Sequence, residues 1–162
     1  MKNHFYLLSL AFILATFVSS CKSEINLIKE EEAIKTVINA ETQAWIDKDS
    51  QLIKTFYIQD DYQTRLNIQD SVYNISIGWN KRSAALDSLT QRIDWSGVEK
   101  FKVQKDYLII KVMDNTAWAI LKETQNMVYN GSPATAQSII NVILEKDKKS
   151  NWKISCFVKN YI

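Results

Sequence analysis

Glycine, proline, histidine and cysteine are all scarce in this 162-residue sequence, and each shortage closes off a class of function. The three glycines, Gly78, Gly97 and Gly131, stand far apart. A Gly-rich phosphate cradle or a collagen repeat needs them clustered, so both are excluded. With Pro133 as the one proline, no low-complexity linker divides the chain. The single histidine is His4, and the two cysteines are Cys21 and Cys156. Charge of one sign is lacking too: 20 basic against 18 acidic residues leave a net +2. That balance provides no field for a polyanion, and nucleic-acid binding is not expected. What the chain does have is 46% apolar residues, 23% charged residues and five tryptophans. This is the composition of one globular domain.

The N-terminus differs in kind from the rest. Lys2 precedes a nearly uniform apolar run, Phe5 to Val18, which ends in Val18-Ser19-Ser20-Cys21. The run is shorter than the ~20 residues a bilayer span requires, but it suits a signal-peptide core. It resembles a bacterial lipoprotein signal, in which cleavage precedes a cysteine that is then acylated. Residues 1–20 are thus expected to be removed, Cys21 lipidated and 21–26 left as a short tether. The domain, 27–162, would then be held on a membrane of the bacterial cell envelope by lipid alone. The outer membrane is the expected one, with the domain in the periplasm or at the surface. Cleavage removes His4 and leaves Cys156 as the only internal thiol. No His/Cys metal site, no cofactor, no internal disulfide and no histidine-activated nucleophile is expected. Carboxylates, tyrosines and lysines remain for chemistry.

Apolar spacing predicts a helix over Leu27–Lys48, with Ile34, Val37, Ile38, Trp45 and Ile46 on one face. Asp49 and Ser50 are N-cap residues for a short helix carrying Leu52, Ile53 and Phe56. One or two strands follow between Tyr62 and Ile77. A third helix, about Asn80–Arg92, turns Ala85, Leu86 and Leu89 inward. Four strands then follow: 99–112, 116–128, one through 139–144, and a last one from Trp152 to about Lys159. On the last strand, alternation puts Trp152, Ile154, Cys156 and Val158 on one face, with Cys156 a buried, inert thiol. Helices followed by antiparallel hairpins make an α+β domain.

The segments EEAIKTVINAETQAWIDKD, FYIQDDY, GWNKRSAAL, DNTAWAILKET and VILEKDKKSNWKISCFV occur here in that order. Together they resemble the nuclear transport factor 2-like superfamily, in its SnoaL-like branch, over roughly residues 27–160. The resemblance implies a cone: three helices against a strongly bent antiparallel sheet, with a cavity open at one end, often in a homodimer. It implies no single activity, since isomerases, dehydratases, cyclases and binding modules share the scaffold. Catalytic members use a histidine or aspartate at set cavity positions. Relatives ending in a similar Trp-Lys-Ile strand can carry histidines where Cys156 and Val158 stand here, a departure from that pattern.

Glu41 lies in the middle of the first helix's apolar stripe, between Val37 and Trp45. A carboxylate there must be paired, protonated or facing a wet cavity. It is either an anchor to a backbone N–H, Arg65 or Arg82, or a polar group on the cavity floor. The ligand-binding set is Glu41, Trp45, Phe56, Tyr62, Trp79 and Trp118, and the resemblance implies that Trp79 stands at the cavity-side start of the third helix. The leading reading is a binding module for a small apolar or amphipathic ligand. One alternative is an isomerase, dehydratase or cyclase with Glu41 as base and Tyr62 or Tyr107 as hydrogen-bond donor. A second titratable group within reach of Glu41 would favour that enzyme. The other alternative is an interaction protein with a filled cone and a binding sheet face.

The anchoring expectation has a direct test. Cys21→Ser should release the protein from membranes, because one lipidated residue carries the attachment. Pelleting of that variant with membranes in high salt would refute the single anchor.

Overall fold

The computed structural model describes residues 26–162; the expected signal segment, Cys21 and the expected tether before Asn26 lie outside the described residues. Helix α1 (Leu27–Ile46) starts where the Asn26 side chain accepts from the Lys29 amide at 3.1 Å. Its buried residues are Ile34, Ile38, Glu41 and Ala44, a single helix face at three- and four-residue spacing. Helix α2 (Ser50–Thr55) is capped by Asp49, whose carboxylate accepts from the Leu52 amide at 2.8 Å. Next come the hairpin β1 (Thr64–Gln69) and β2 (Val72–Ile77), then helix α3 (Trp79–Gln91). Four long strands complete the chain: β3 (Val98–Met113), β4 (Thr116–Tyr129), β5 (Ser132–Lys146) and β6 (Trp152–Tyr161).

The strands form one six-stranded sheet in the order β2-β1-β6-β5-β4-β3. The expected antiparallel run β3 to β6 is present, and the β1–β2 hairpin extends the same sheet beyond β6. β1 pairs with β6 in parallel, so the sheet is mixed. Bulges in β3, between Glu99 and Lys102 and between Tyr107 and Ile109, help to bend it around α1. The result is an α+β cone.

The inward row of β4 shows how one strand serves two purposes. Ala117, Ala119 and Leu121 are fully buried and lie opposite Leu144, Val142 and Ile140. The row then continues with Glu123, Gln125 and Met127. Apolar residues pack against Ile34 and Ile38 in the core; polar ones follow toward the opposite end of the cone.

Two expectations of facing need correction. A bulge between Ile143 and Leu144 pairs Leu144 with Ile154 but Ile143 with Cys156. Ile154 and Ser155 are both buried as a result. Beyond the bulge, Phe157 and Lys159 face inward while Cys156 and Val158 share the outer face with Ile143. Cys156 is therefore half-buried on the outside of the sheet, where burial still pushes its thiol pKa up. In α3 the buried residues are Arg82, Leu86 and Thr90, whereas Leu89 is 37% exposed. A guanidinium takes an inward position that apolar periodicity reserves for alanine or leucine, because aromatic rings there accept it.

Glu30 staples the first turn of α1 to the sheet. Its carboxylate accepts from Lys146 Nζ at 2.7 Å and from Trp152 Nε1 at 2.7 Å. The Lys146 bond is the main reason its pKa lies below the ordinary 4.5. A depressed folded pKa means this contribution is present above the ordinary value and fades as pH falls through the folded one. Glu30→Gln should cost about 1–2 kcal/mol at neutral pH. The gap to the unsubstituted protein should narrow in denaturant melts taken below pH 4.5; a pH-independent gap would refute the staple.

Candidate functional site

A cavity of about 450 Å³ lies between the second half of α1, α3 and the polar end of the sheet. Glu41, Arg82, Glu123, Phe157 and Lys159 are buried along it, and the more exposed Gln69 and Leu89 mark its rim. Trp45, Trp95, Phe101 and Met127 add aromatic and thioether wall. Trp95 is held by its indole, which donates to the Ile46 carbonyl at 3.1 Å and so satisfies a free acceptor at the end of α1. Its ring meets Phe101 at 5.0 Å.

Three donors converge on Glu41 Oε1. They are Tyr57 OH at 2.6 Å, Trp45 Nε1 at 2.7 Å and Arg65 Nη1 at 2.9 Å. Arg65 Nη1 also donates to Tyr57 OH at 2.6 Å, and the Arg65 guanidinium lies 4.3 Å from the Phe157 ring and 5.3 Å from the Trp45 ring. Burial opposes the Arg65 charge, but the Tyr57 and Glu41 oxygens outweigh it and hold its pKa above the ordinary value. Burial pushes the Tyr57 phenol up as well. Glu41 is thus the anchor of a buried ion pair whose partner is Arg65.

A second ion pair stands across the cavity. Glu123 Oε1 accepts from Lys159 Nζ at 2.7 Å and from Gln125 Nε2 at 2.8 Å, while Lys105 Nζ lies 3.8 Å from Oε2. Burial alone would raise the Glu123 pKa; Lys159 and Lys105 reverse that and hold it below the ordinary value. Burial lowers the Lys105 pKa, and this ammonium also donates to Thr42 Oγ1 at 2.7 Å.

Of the residues expected to bind ligand, Glu41 and Trp45 line this cavity. Phe56 packs against the core instead, because β6 captures its backbone: the Phe56 carbonyl accepts from the Ile154 amide at 2.8 Å. Tyr62 is half-exposed and donates to Glu145 at 2.8 Å. Trp79 does start α3, but it lines a shallow surface depression with Lys54, Ser83 and Asp87. Trp118 is 39% exposed on the outer face of β4, opposite Ile143. Tyr107, the other proposed donor, points to the far side of α1 and donates to Asn39 at 3.0 Å. Sequence reasoning did not assign Arg82, Glu123 or Lys159 to the cavity, and weighed Arg65 only as a partner for Glu41. The usable signal was strand parity: Arg65, Asn67 and Gln69 alternate along β1, as do Glu123, Gln125 and Met127 along β4.

The comparisons with known proteins agree with this geometry. No family model and no curated protein matches the sequence. Among solved structures, a nuclear transport factor 2-like superfamily protein from Salmonella enterica matches with a TM-score of 0.63 at 16% identity, over 84% of this chain and 92% of that one. A ketosteroid isomerase-like protein from Erwinia carotovora matches at 0.58 and 13% identity, covering 81% and 95%. The CaMKII hub of S. rosetta matches at 0.61 and 16%, covering 81% and 95%. Likeness at such identities establishes the fold alone, and the fold is the nuclear transport factor 2-like cone.

The Glu41 network predicts a large and coupled loss. Glu41→Gln strands the Arg65 charge among aromatic rings and should cost about 3–5 kcal/mol. Arg65→Met should be costly as well, and the double variant should be far less destabilised than the sum. Additive losses in denaturant melts would refute the ion pair.

Proposed function

We propose that this chain is a lipid-anchored domain of the bacterial cell envelope whose cone binds a small amphipathic molecule. The observation that carries this reading is the cavity itself. At about 450 Å³, with aromatic walls and a polar floor, it falls in the range of small-molecule sites. A cone filled by its own side chains would have argued for an interaction protein. The enzyme reading draws less support. Tyr57 is a second titratable group within 2.6 Å of Glu41, but it is fully buried and is not part of the cavity wall. The Glu41 oxygen already accepts three donors, one of them a guanidinium, and is engaged in holding the fold together.

The outer sheet face supports a homodimer. Trp118, Ile143, Ile75 and Ile77 are 39–57% exposed there, and half-buried Leu66 and Val158 pair between them. Joined apolar side chains on one face mark an association surface. That a structural neighbour is a hub is in keeping with assembly by this scaffold.

Native mass spectrometry of the protein purified from its own cells tests both points. A dimer carrying a small co-purified mass on each subunit is expected. A bare protein that also binds no member of an amphipathic compound library would sink the ligand reading, and a monomer would sink the dimer.

A further inference from the structure

The sheet ends in two edges of different character. β3 forms one of them and carries Lys100, Lys102, Lys105 and Lys111 together with its bulges. Lysines and bulges are devices that keep an edge from pairing with another chain. β2 forms the other edge. Its residues, VYNISI, hold no charge and no proline, and their register against β1 is unbroken. β-Branched and aromatic side chains dominate, the composition of a strand that pairs readily.

The backbone of that edge is open. Asp70 and Ser71 form a two-residue turn, so the closing residues Gln69 and Val72 are a hydrogen-bonded pair. Bonded pairs then alternate along the hairpin, Asn67 with Asn74 and Arg65 with Ser76. The Gly78 amide donates to the Gln63 carbonyl at 2.8 Å, which continues the same alternation. The N–H and C=O groups of Tyr73, Ile75 and Ile77 therefore point away from β1. Among the described residues, no backbone group pairs with them. Their side chains are 50–71% exposed on the outer face of the sheet.

We infer that β2 pairs edge to edge with β2 of a second copy of this chain, antiparallel about a two-fold axis at Ile75. This contact is separate from the outer-face association and rests on neither reading above. Open groups must meet open groups, and a two-fold at Ile75 is the register that engages all three residues. Ile75 then faces Ile75, and Tyr73 faces Ile77 on both sides of the axis, each pairing with two backbone bonds. Because the strand is uncharged, no like charges are brought together. The ends are complementary as well. Asp70 in the turn is carried to the far end of the second copy's β2. There α3 begins at Gly78 without a side-chain cap and has Lys81 in its first turn, a setting that favours a carboxylate. A stable interface takes about 20–30 residues a side, so this strand of six pairs in concentrated protein and not in dilute solution.

Disulfide trapping tests the register. Asn74 of one copy would face Ser76 of the other outside the bonded pairs, where Cα atoms stand about 4.5 Å apart, within a disulfide's span. Both lie on the inner side of the sheet, beside Asn67 and Arg65 of the cavity wall, where an outer-face association cannot join them. Asn74→Cys and Ser76→Cys would be made in a Cys156→Ser background, mixed as full-length protein in the millimolar range and oxidised. The mixture should give a cross-linked dimer, and neither variant alone should. Ile75→Pro removes a donor from the open edge and none from the β1 ladder, so the hairpin persists while cross-linking is lost. Trp118→Lys, on the outer face, should leave cross-linking unchanged. No cross-link in the mixture, or one that survives Ile75→Pro, would overturn the edge contact. Equal cross-linking by one variant alone would overturn the two-fold at Ile75. Loss on Trp118→Lys would assign the contact to the outer face and overturn it too. Cysteines trapped in cells on a different protein, and not on each other, would give the edge to a foreign strand and overturn the second copy.

Discussion

The convergence of the Tyr57 phenol, the Trp45 indole and the Arg65 guanidinium on one oxygen of Glu41 joins three parts of the chain at a single point. Trp45 belongs to α1, Tyr57 to the segment after α2, and Arg65 to the first strand of the sheet. Charge enforces the meeting. A carboxylate drawn into an apolar helix face must find donors, and these three are the groups that the fold places within reach. Once they are fixed, Arg65 lies across Trp45 and Phe157, and the same rings shape the wall of the cavity. The network thus sets the position of α1 against the sheet and the form of the space between them.

That space differs from an ordinary apolar pocket in having its charges arranged as pairs on opposite walls. Glu41 with Arg65 and Glu123 with Lys159 each neutralise locally. Arg82 and Lys105 come in addition to these pairs, so the surroundings of the cavity hold more positive than negative charge.

Much of the architecture was legible because its signals are local. Asp49 caps its helix through its own side chain, and Glu41 stands out because one helix face can be read from three- and four-residue spacing. The cavity residues on strands were harder. Period-two alternation says which residues share a face, but not which face is inside, and one bulge reverses the answer beyond it. Cys156 and Val158 were misplaced for that reason. Trp79 and Trp118 misled differently: large aromatic residues suggest a pocket, yet one lies in a surface depression and the other on the outer face. Arg82 broke the apolar pattern of its helix, and periodicity has no means of predicting a buried cation.

The parallel pairing of β1 with β6 bears on the order in which the molecule is assembled. Thr64 to Ile68 pair with Cys156 to Asn160, so the early hairpin keeps one edge without a neighbour until nearly the whole chain has emerged. Pairing across such sequence separation is slow, because the loop between must close before any contact rewards it. β6 also brings Phe157, Lys159 and Tyr161, which finish the cavity wall. The binding space is therefore complete only when β6 is in place. A ligand that needs this wall meets it only in the assembled cone, with Gln69 and Leu89 at the rim.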